Sequence, residues 1–408
     1  MIKRFKNVSY KSSIVTVLLF TITTPFILTN YIEVSAIQRE TTTIESGGKY
    51  KESQHNFIID APVKSYDDIG KLEQVSNFKF KIPDFIPEGN KVSGFQLRKL
   101  SEKCSAVEIF FENLNGSFSF QIFQGDPFES LKNVENDKTK AFENVKVHGE
   151  KEPLKIGGIT GLNVTLSTTF PDRKIGNGTF IESQKITKYF IWQNEDLWYS
   201  IEYKSESKSS DSNSMSVNLS QSDILQIAQS IKYPEDLRNA KYSIVKDSYT
   251  ESPVMNIYDK EDLEKAKNIL VFNPKFPVEI DKELTMTSSI VRISDDYNKE
   301  NNKNKFEINS FYNNKSGSIV FTQGKGLKDY KSIEKNDYLN EDEYGSLLIK
   351  PEKLVLNGIQ IFKYASTGIV PEVSYLWKEN DIYYSLTFYV NIEKSDEILR
   401  KFIDTKPL

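Results

Sequence analysis

Apolar residues along the chain follow two periods, which together predict short strands framed by short helices. Beyond residue 77, stretches rich in Phe, Ile, Val and Tyr alternate apolar with polar positions, and turns that contain Gly or Asn separate them. A period of two is typical of half-buried β-strands. Two segments, 65–77 and 258–268, instead place apolar residues at helical spacing, as at Leu263 and Ala266. The pattern therefore predicts an α+β chain.

The same series of elements occurs twice in the same order, which indicates a duplication. The stretch YFIWQNEDLWYSIEY (189–203) returns as SYLWKENDIYYSLTF (374–388), and NGSFSFQIFQG (115–125) returns as SGSIVFTQG (316–324). A period of this length indicates duplicated domains rather than a solenoid of short repeats. We predict two tandem homologous α+β domains, each a curved antiparallel sheet with short helices packed on one side.

A helix is predicted at the end of each repeat. Ser222 and Ser395 are good N-cap residues, and each is followed by an acidic residue that suits a helix N-terminus. Apolar residues then recur on one face of each predicted helix: Ile224, Ile227 and Ile231 in the first, and Ile398, Leu399 and Phe402 in the second. Such stripes are expected to cover one face of a sheet.

These patterns divide the chain into five segments. They are residues 1–36, a signal peptide or signal anchor; 37–64, a polar tether; 65–236, the first α+β repeat; 237–256, a linker; and 257–408, the second α+β repeat. The first repeat also contains a Ser-rich insertion, residues 204–216, for which we expect a surface loop.

The first of these segments has the pattern of a secretory signal. Four basic residues precede an apolar run over residues 14–28, and Val-Ser-Ala at 34–36 offers a candidate cleavage site. Extended to residues 14–32, the run is just long enough to span a bilayer, so an uncleaved anchor in contact with the membrane is the alternative. In both cases the chain after residue 36 is predicted to be extracytoplasmic, either secreted or anchored to the outer face of the cytoplasmic membrane.

Charge and cysteine content narrow the classes of partner. The chain has a formal net charge of −4 and its first 36 residues contribute +3, so the exported part is close to −7. This balance argues against nucleic acid and against polyanionic wall polymers as partners.

Cys104 is the only cysteine, so no internal disulfide can form and stability is expected from hydrophobic cores.

The aromatic residues of the repeated hairpin are the first candidate for a binding site, and all three tryptophans of the chain lie in its two copies. Trp198, Tyr199, Tyr383 and Tyr384 are candidates for a platform that binds an apolar or glycan ligand. The favoured interpretation is structural, because sheet cores are rich in such residues. Trp198 points opposite to Tyr199 along its strand and is the ring expected to be exposed.

Catalytic motifs are sparse. The chain has two histidines, His55 and His148, and no G-x-S-x-G motif, so a Ser-His-Asp site would rest on His148. We predict a non-enzymatic protein that carries no cofactor. A catalytic pair of carboxylates stays possible, because the spacing of acidic residues along the chain does not give their spacing in the fold. A carboxylate-dependent hydrolase acting on cell-wall or carbohydrate substrates is the alternative.

One acidic stretch has the spacing of a calcium-binding loop. In DYNKENNKNKFE (296–307), the candidate ligands are Asp296, Asn298, Glu300 and Glu307. The sixth position of the loop is Asn where an EF-hand has Gly, and the flanking residues are predicted strands. A polar hairpin loop accounts for the stretch equally well.

The segment FKIPDFIPEG (80–89) resembles the opening signature of an uncharacterised extracytoplasmic domain family of Gram-positive bacteria. The pattern Phe-x-Ile-Pro-x-x-Ile/Leu-Pro-x-Gly is met from Phe80 to Gly89, and the Trp-x-x-x-Asp hairpin with its closing helix is also similar to that family. Residues 65–235 carry the resemblance. In the second copy, 257–405, the opening is degenerate and lacks the Gly.

The resemblance implies a ligand-holding or sensing role. Members often follow a membrane helix whose cytoplasmic part resembles an anti-sigma factor, and in outline they are similar to lipoprotein carriers and stress sensors. Here only about 13 residues precede the apolar run, so no domain is expected there to hold a sigma factor. We therefore expect a non-enzymatic binding or sensor protein of the bacterial envelope, holding an apolar or glycan ligand or a protein partner on its sheets or between the copies. A structural or adhesive envelope protein is the other alternative.

Overall fold

The computed structural model describes residues 57–408 with internal gaps. The gaps are residues 102–103, 115, 140–143, 172, 176–177, 181, 209–217, 243, 245–253, 278–279, 281–283, 295–304, 315–316, 328–329, 331–332, 334–350, 367–371 and 390–394. The candidate signal segment and the predicted tether before Phe57 lie outside the described residues. Within the described part, no helix is long and apolar enough to cross a membrane.

The first domain is built on an eight-stranded antiparallel sheet. In chain order its strands are β1 (Val63–Tyr66), β2 (Ile82–Pro83), β3 (Lys91–Lys99), β4 (Ser105–Asn113), β5 (Gly116–Phe123), β6 (Lys146–Ile156), β7 (Ile159–Phe170), β8 (Arg173–Ile175), β9 (Gly178–Phe180), β10 (Ser183–Asn194), β11 (Leu197–Lys208) and β12 (Ile231–Lys232). Strand β2 pairs with β12, and β8 pairs with β9. The other eight lie in the order β1-β3-β4-β5-β11-β10-β7-β6.

The second domain repeats this topology. Its strands are β13 (Met255–Asn256), β14 (Thr285–Ile293), β15 (Phe306–Asn314), β16 (Gly317–Gly324), β17 (Glu352–Leu356), β18 (Ile359–Ser366), β19 (Glu372–Glu379) and β20 (Ile382–Tyr389). They lie in the order β13-β14-β15-β16-β20-β19-β18-β17, which matches the first sheet strand for strand. The register also shifts at equivalent points, between Val92 and Gly94 in β3 and between Met286 and Ser288 in β14. The predicted fold class, two similar α+β sheet domains, is confirmed.

Short helices cover the two sheets. They are α1 (Ile69–Val75), α2 (Pro127–Thr139), α3 (Gln221–Gln229), α4 (Lys260–Leu270) and α5 (Ser395–Asp404). Helices α1 and α3 pack on one face of the first sheet, and α4 and α5 pack on one face of the second. The helices predicted within 65–77 and near 258–268 are confirmed, and Leu263 and Ala266 are buried as their spacing indicated.

The closing helix of the first domain starts at a different cap from the one predicted. Ser220, not Ser222, is the N-cap of α3: its hydroxyl accepts a hydrogen bond from the Asp223 N–H, and the Asp223 carboxylate accepts one from the Ser220 N–H. This reciprocal pairing needs an acidic or amide residue three positions after the cap, and Leu225 stands there for Ser222. Helix α5 begins at Ser395. Of the predicted stripes, Ile224, Ile227, Ile398, Leu399 and Phe402 are buried, while Ile231 lies beyond α3 in β12.

Helix α2 was not predicted, and it packs on the opposite face of the first sheet from α1 and α3. Its Leu131 and Val134 belong to a separate apolar cluster on that face. Two local signals mark its start: the Asp126 carboxylate accepts a hydrogen bond from the Phe128 N–H at 2.8 Å, and Pro127 takes the first helical position. The first sheet is therefore covered by helices on both faces.

A buried charge fixes the opening segment of the first domain to the end of the same domain. Asp84, which follows Pro83, is 2% exposed. Its carboxylate accepts hydrogen bonds from Lys232 Nζ at 2.7 Å and from the backbone N–H groups of residues 238–240 at 3.0, 2.7 and 3.1 Å. Burial alone would raise the pKa of Asp84, but these hydrogen bonds hold it well below its ordinary value.

The equivalent position of the second domain carries the opposite charge. Lys275 follows Pro274 and is also 2% exposed. Its Nζ donates to the Glu379 carboxylate at 2.7 Å and to the Ile403 carbonyl, in the last turn of α5, at 2.9 Å. The backbone of Lys275 also exchanges two hydrogen bonds with the Gln323 side chain, at 2.7 and 2.8 Å. In both domains residues that close the domain help to hold the opening segment; in the second domain they act together with β16 and β19.

Asp84→Asn is expected to lower the free energy of unfolding by about 2–4 kcal/mol, because the new amide group faces hydrogen-bond donors. The lowered pKa of Asp84 contributes stability above the unfolded value of about 3.9 and loses it as pH falls toward the folded value. The difference in free energy of unfolding between wild type and variant should therefore be largest near pH 7 and smaller at pH 3. Urea unfolding at both pH values measures it.

The matched control for this prediction is Asp236→Asn, which makes the same substitution at an exposed carboxylate in the turn at 234–236. Its effect should stay within about 0.5 kcal/mol. Equal losses in the two variants, or a difference that does not change between pH 7 and pH 3, would contradict the role given to Asp84.

Candidate functional site

The repeated hairpins hold their aromatic rings in pairs inside the two cores. Trp192 lies opposite Tyr199 with ring centroids 5.7 Å apart, and Trp377 lies opposite Tyr384 with centroids 5.2 Å apart. Tyr199 and Tyr384 are 1% and 3% exposed and pack in the helix-covered cores. The platform prediction does not hold for these two tyrosines, because strand alternation turns both rings toward the helices.

The other two candidate platform residues lie on the opposite faces of the sheets and are half-buried. Trp198 packs against the apolar cluster under α2, so the expectation of an exposed ring is met only in part. Tyr383 contacts the Tyr330 ring edge-to-face at 5.0 Å, and Lys378 Nζ lies 4.6 Å from its ring centroid. For Trp198 and Tyr383 the platform stays a prediction.

The calcium candidate lies mostly outside the described residues. Asp296, Asn298 and Glu300 fall in a gap. Glu307 belongs to β15, where it is 2% exposed and its carboxylate accepts a hydrogen bond from Arg292 Nε on the neighbouring strand at 2.6 Å. In the part of the chain that the structure describes, no group of His, Cys, Asp or Glu is arranged to hold a metal ion.

Glu108 is the centre of a charged cluster on the α2-covered face of the first sheet. Its carboxylate accepts hydrogen bonds from Arg98 Nε at 3.2 Å and from Lys138 Nζ, on α2, at 3.0 Å. Burial would raise the pKa of Glu108, but the positive charges of Lys138 and Arg98 hold it below its ordinary value. The second domain has an Arg-Glu pair between its corresponding strands, Arg292 with Glu307.

Two further carboxylates complete this cluster. Glu135 of α2 accepts a hydrogen bond from the Tyr189 hydroxyl at 2.8 Å, and Glu202 of β11 accepts one from the Ser119 hydroxyl at 3.2 Å. Burial raises the pKa of Glu202 above its ordinary value, which is a property the hydrolase alternative requires. Glu108 and Glu135, however, are 1% and 2% exposed beneath α2, so a substrate would have to displace that helix to reach them. The cluster is organised as a structural network.

The two domains meet through equivalent edge strands, β1 and β13. The Ser65 N–H donates a hydrogen bond to the Tyr258 hydroxyl at 2.9 Å, and the Asn256 side-chain amide donates one to the Ser65 carbonyl at 3.1 Å. The rings of Tyr66 and Tyr258 pack with their centroids 5.4 Å apart. Both the backbone and the side chains of the two edges thus contribute to this junction.

The described end of the predicted tether is part of the junction. The segment 57–61 lies against the second domain, where the Phe57 ring contacts Phe276 edge-to-face with centroids 4.8 Å apart. The Ile59 N–H donates to the Tyr258 carbonyl at 2.8 Å, and Ile59 is 1% exposed. Residues that lead from the N-terminus into the first domain are therefore held by the second.

Lys71 of α1 forms ion pairs across the junction. Its Nζ lies 2.9 Å from the carboxylates of Asp259 and Glu261 and 3.6 Å from that of Asp262, all at the start of α4. Burial alone would lower the pKa of Lys71, but the three carboxylates raise it above its ordinary value. Removing this cation would leave three like charges side by side.

A recess of about 200 Å³ opens beside the junction. The residues that line it are Asp60 and Ala61 of the docked segment, Lys64 of β1, Val75 and Asn77 at the end of α1, Leu97 and Lys99 of β3, Ser101 and Ser105. Lys99 pairs with Asp60 at 3.0 Å, and the Lys64 ammonium lies 5.6 Å from the ring centroid of Tyr258. Burial lowers the pKa of Lys64, although the carboxylates of Asp60 and Asp259 act in the opposite direction.

The residues of the junction and the recess were not predicted. Residues up to 64 were expected to form a polar tether, although FIIDAPV at 57–63 is an apolar run in a polar segment and indicates burial. The charges of Lys64, Lys71 and Lys99 carry no such signal, because their partners come from other parts of the chain.

No family model, no curated protein and no solved structure matches the chain. The resemblance of residues 80–89 to an extracytoplasmic family stays an interpretation.

Tyr199→Ala and Tyr384→Ala are each expected to lower the free energy of unfolding by about 3–5 kcal/mol, because each removes a ring from a packed core. Trp198→Ala and Tyr383→Ala alter the neighbouring, half-buried ring on the same strand and should cost less. Urea unfolding of the four variants measures the difference. A larger loss for the half-buried rings would contradict the assignment of Tyr199 and Tyr384 to the cores.

Lys71→Met is expected to weaken the coupling between the domains by about 1–2 kcal/mol, since it leaves the Asp259, Glu261 and Asp262 carboxylates without their shared cation. Differential scanning calorimetry should show a broader or divided unfolding transition in the variant. Lys79→Met, at an exposed position that follows α1, is the control and should unfold like wild type. Identical transitions in all three proteins would show that Lys71 does not couple the domains.

Proposed function

We propose that this chain is a non-enzymatic binding or sensor protein of the bacterial envelope, located outside the cytoplasm, whose ligand occupies the recess beside the domain junction. The observation that carries the proposal is the position of the recess. The first domain and the docked segment 57–61 line it, and Tyr258 of the second domain lies against Lys64 at its border. Ligand sites occur preferentially where domains meet.

The composition of the two cores supports a site at the junction rather than on the sheets. Large rings, among them Tyr199 and Tyr384, fill the helix-covered faces, and α2 with its charged network covers the other face of the first sheet. A ligand held against the first sheet, or against the helix-covered face of the second, would have to displace these groups. The same packing speaks against a substrate at the Glu108 cluster, so the hydrolase alternative has less support.

The docked segment 57–61 connects the recess to the N-terminal part of the chain. Asp60 and Ala61 line the recess, while Phe57 and Ile59, in the same segment, contact the second domain. A ligand in the recess would touch the residues that follow the predicted signal or anchor. This placement suits a sensor, because occupancy of the site would stabilise the docked form of that segment.

Native mass spectrometry of the full chain, extracted from the envelope in a mild detergent, should show a removable adduct of small-molecule mass. Lys64→Met, which alters the recess, should carry less of it, and Lys79→Met should carry as much as wild type. A bare mass both directly after extraction and after incubation with an envelope extract would contradict the proposal.

A further inference from the structure

Two lysines and one aspartate belong to the residues that line the recess beside the junction. They are Lys64, Lys99 and Asp60. Lys99 and Asp60 neutralise each other at 3.0 Å. Within the described residues, the Lys64 ammonium forms no ion pair and faces the ring of Tyr258 at 5.6 Å. Lys64 is therefore a lining residue whose partly buried ammonium has no carboxylate of the described residues within ion-pairing distance, although Asp60, Asp259 and Asp262 act on it from further away.

Polar and apolar groups share the rest of the surface. Asn77, Ser101 and Ser105 contribute an amide and two hydroxyl groups, and Ala61, Val75 and Leu97 contribute aliphatic carbon. The volume of about 200 Å³ is below the roughly 300 Å³ of the smallest drug-sized sites. The recess therefore fits a small molecule or the end of a longer one.

We infer that the recess binds a monocarboxylate with a short aliphatic part, such as the C-terminal residue of a peptide, with Lys64 as the counter-ion of the carboxylate. The inference rests on the proposed function, since it names the ligand class of the same recess. Capture of a terminal carboxylate by a positive pocket is a recurring mode of peptide recognition.

The charge of the recess selects a monoanion over a dianion. A carboxylate matches the single charge of Lys64, whereas a phosphate monoester would bring a second negative charge beside Asp60, and like charges in proximity count against binding. The aliphatic side chains of Val75 and Leu97 favour a ligand with an alkyl group, which inorganic anions lack.

Competitive acetylation of lysines with acetic anhydride tests the site on the full chain, read out by peptide mass spectrometry. The probe is N-acetyl-alanyl-alanine, and the matched control is the same dipeptide as its C-terminal amide. At a probe concentration of about ten times Kd, mass action leaves about one site in eleven empty, so acetylation of Lys64 should fall about tenfold. Lys91, exposed at the start of β3, is the internal control and should not change.

Lys64→Met keeps the alkyl stem but removes the ammonium, and it should weaken probe binding in calorimetry at least about tenfold. Lys91→Met should bind like wild type. Unchanged acetylation of Lys64, or equal protection by the acid and the amide, would overturn the inference, and stronger protection by inorganic phosphate would overturn the ligand class. An envelope-derived adduct on a chain whose Lys64 stays unprotected would reject this ligand while leaving the proposed binding function in place.

Discussion

A buried charge directly after the opening proline of each domain governs how that domain closes. A charge removed from water must be paired and hydrogen-bonded, because an uncompensated one costs several kcal/mol. Asp84 meets this requirement through Lys232 and the backbone N–H groups of residues 238–240, and Lys275 through Glu379 and the Ile403 carbonyl. The partners of Asp84 all come from the residues that close the first domain, whereas Lys275 has one partner on β19 and one on the closing helix, so loss of the closing residues would leave either charge with fewer hydrogen bonds. Each sheet is thereby completed within its own repeat.

The buried charge is negative in the first domain and positive in the second, and this difference limits which segments the two domains could exchange. The second domain presents a carboxylate on β19 and a carbonyl on α5, which suit Lys275 and would repel Asp84. Backbone N–H groups and Lys232 suit Asp84 and would repel Lys275. Exchange of closing segments between the copies is therefore disfavoured by charge as well as by chain connectivity. Because each domain closes on itself, the edge strands β1 and β13 and helix α1 are left to form the junction and to border the recess.

Sequence periodicity predicted secondary structure and core positions, which depend on neighbouring residues. It did not predict contacts between residues that are far apart in the chain. The strands and the core position of Tyr199 and Tyr384 follow from alternation that any half-buried sheet imposes, and the duplication follows from the repeated stretches. Helix α2 carried a local signal in Asp126 and Pro127, but the surrounding strand pattern dominated. The partners of Asp84 lie 148 to 156 residues further along the chain. No spacing rule reaches that far, and the same holds for Lys71 and for the groups that meet at the recess.

Because the docked segment 57–61 lines part of the recess, a ligand there could change the docking equilibrium of the segment. A ligand shifts an equilibrium only as far as its affinities for the two states differ. A ligand that contacted β1 and β3 alone would bind equally well whether or not the segment were docked. Such a ligand would not change the docking equilibrium. Asp60 and Ala61 belong both to the segment and to the recess, so undocking would remove part of the site. On the proposed function, binding would be linked to docking through these two residues, and Asp60 also forms an ion pair with Lys99 of β3.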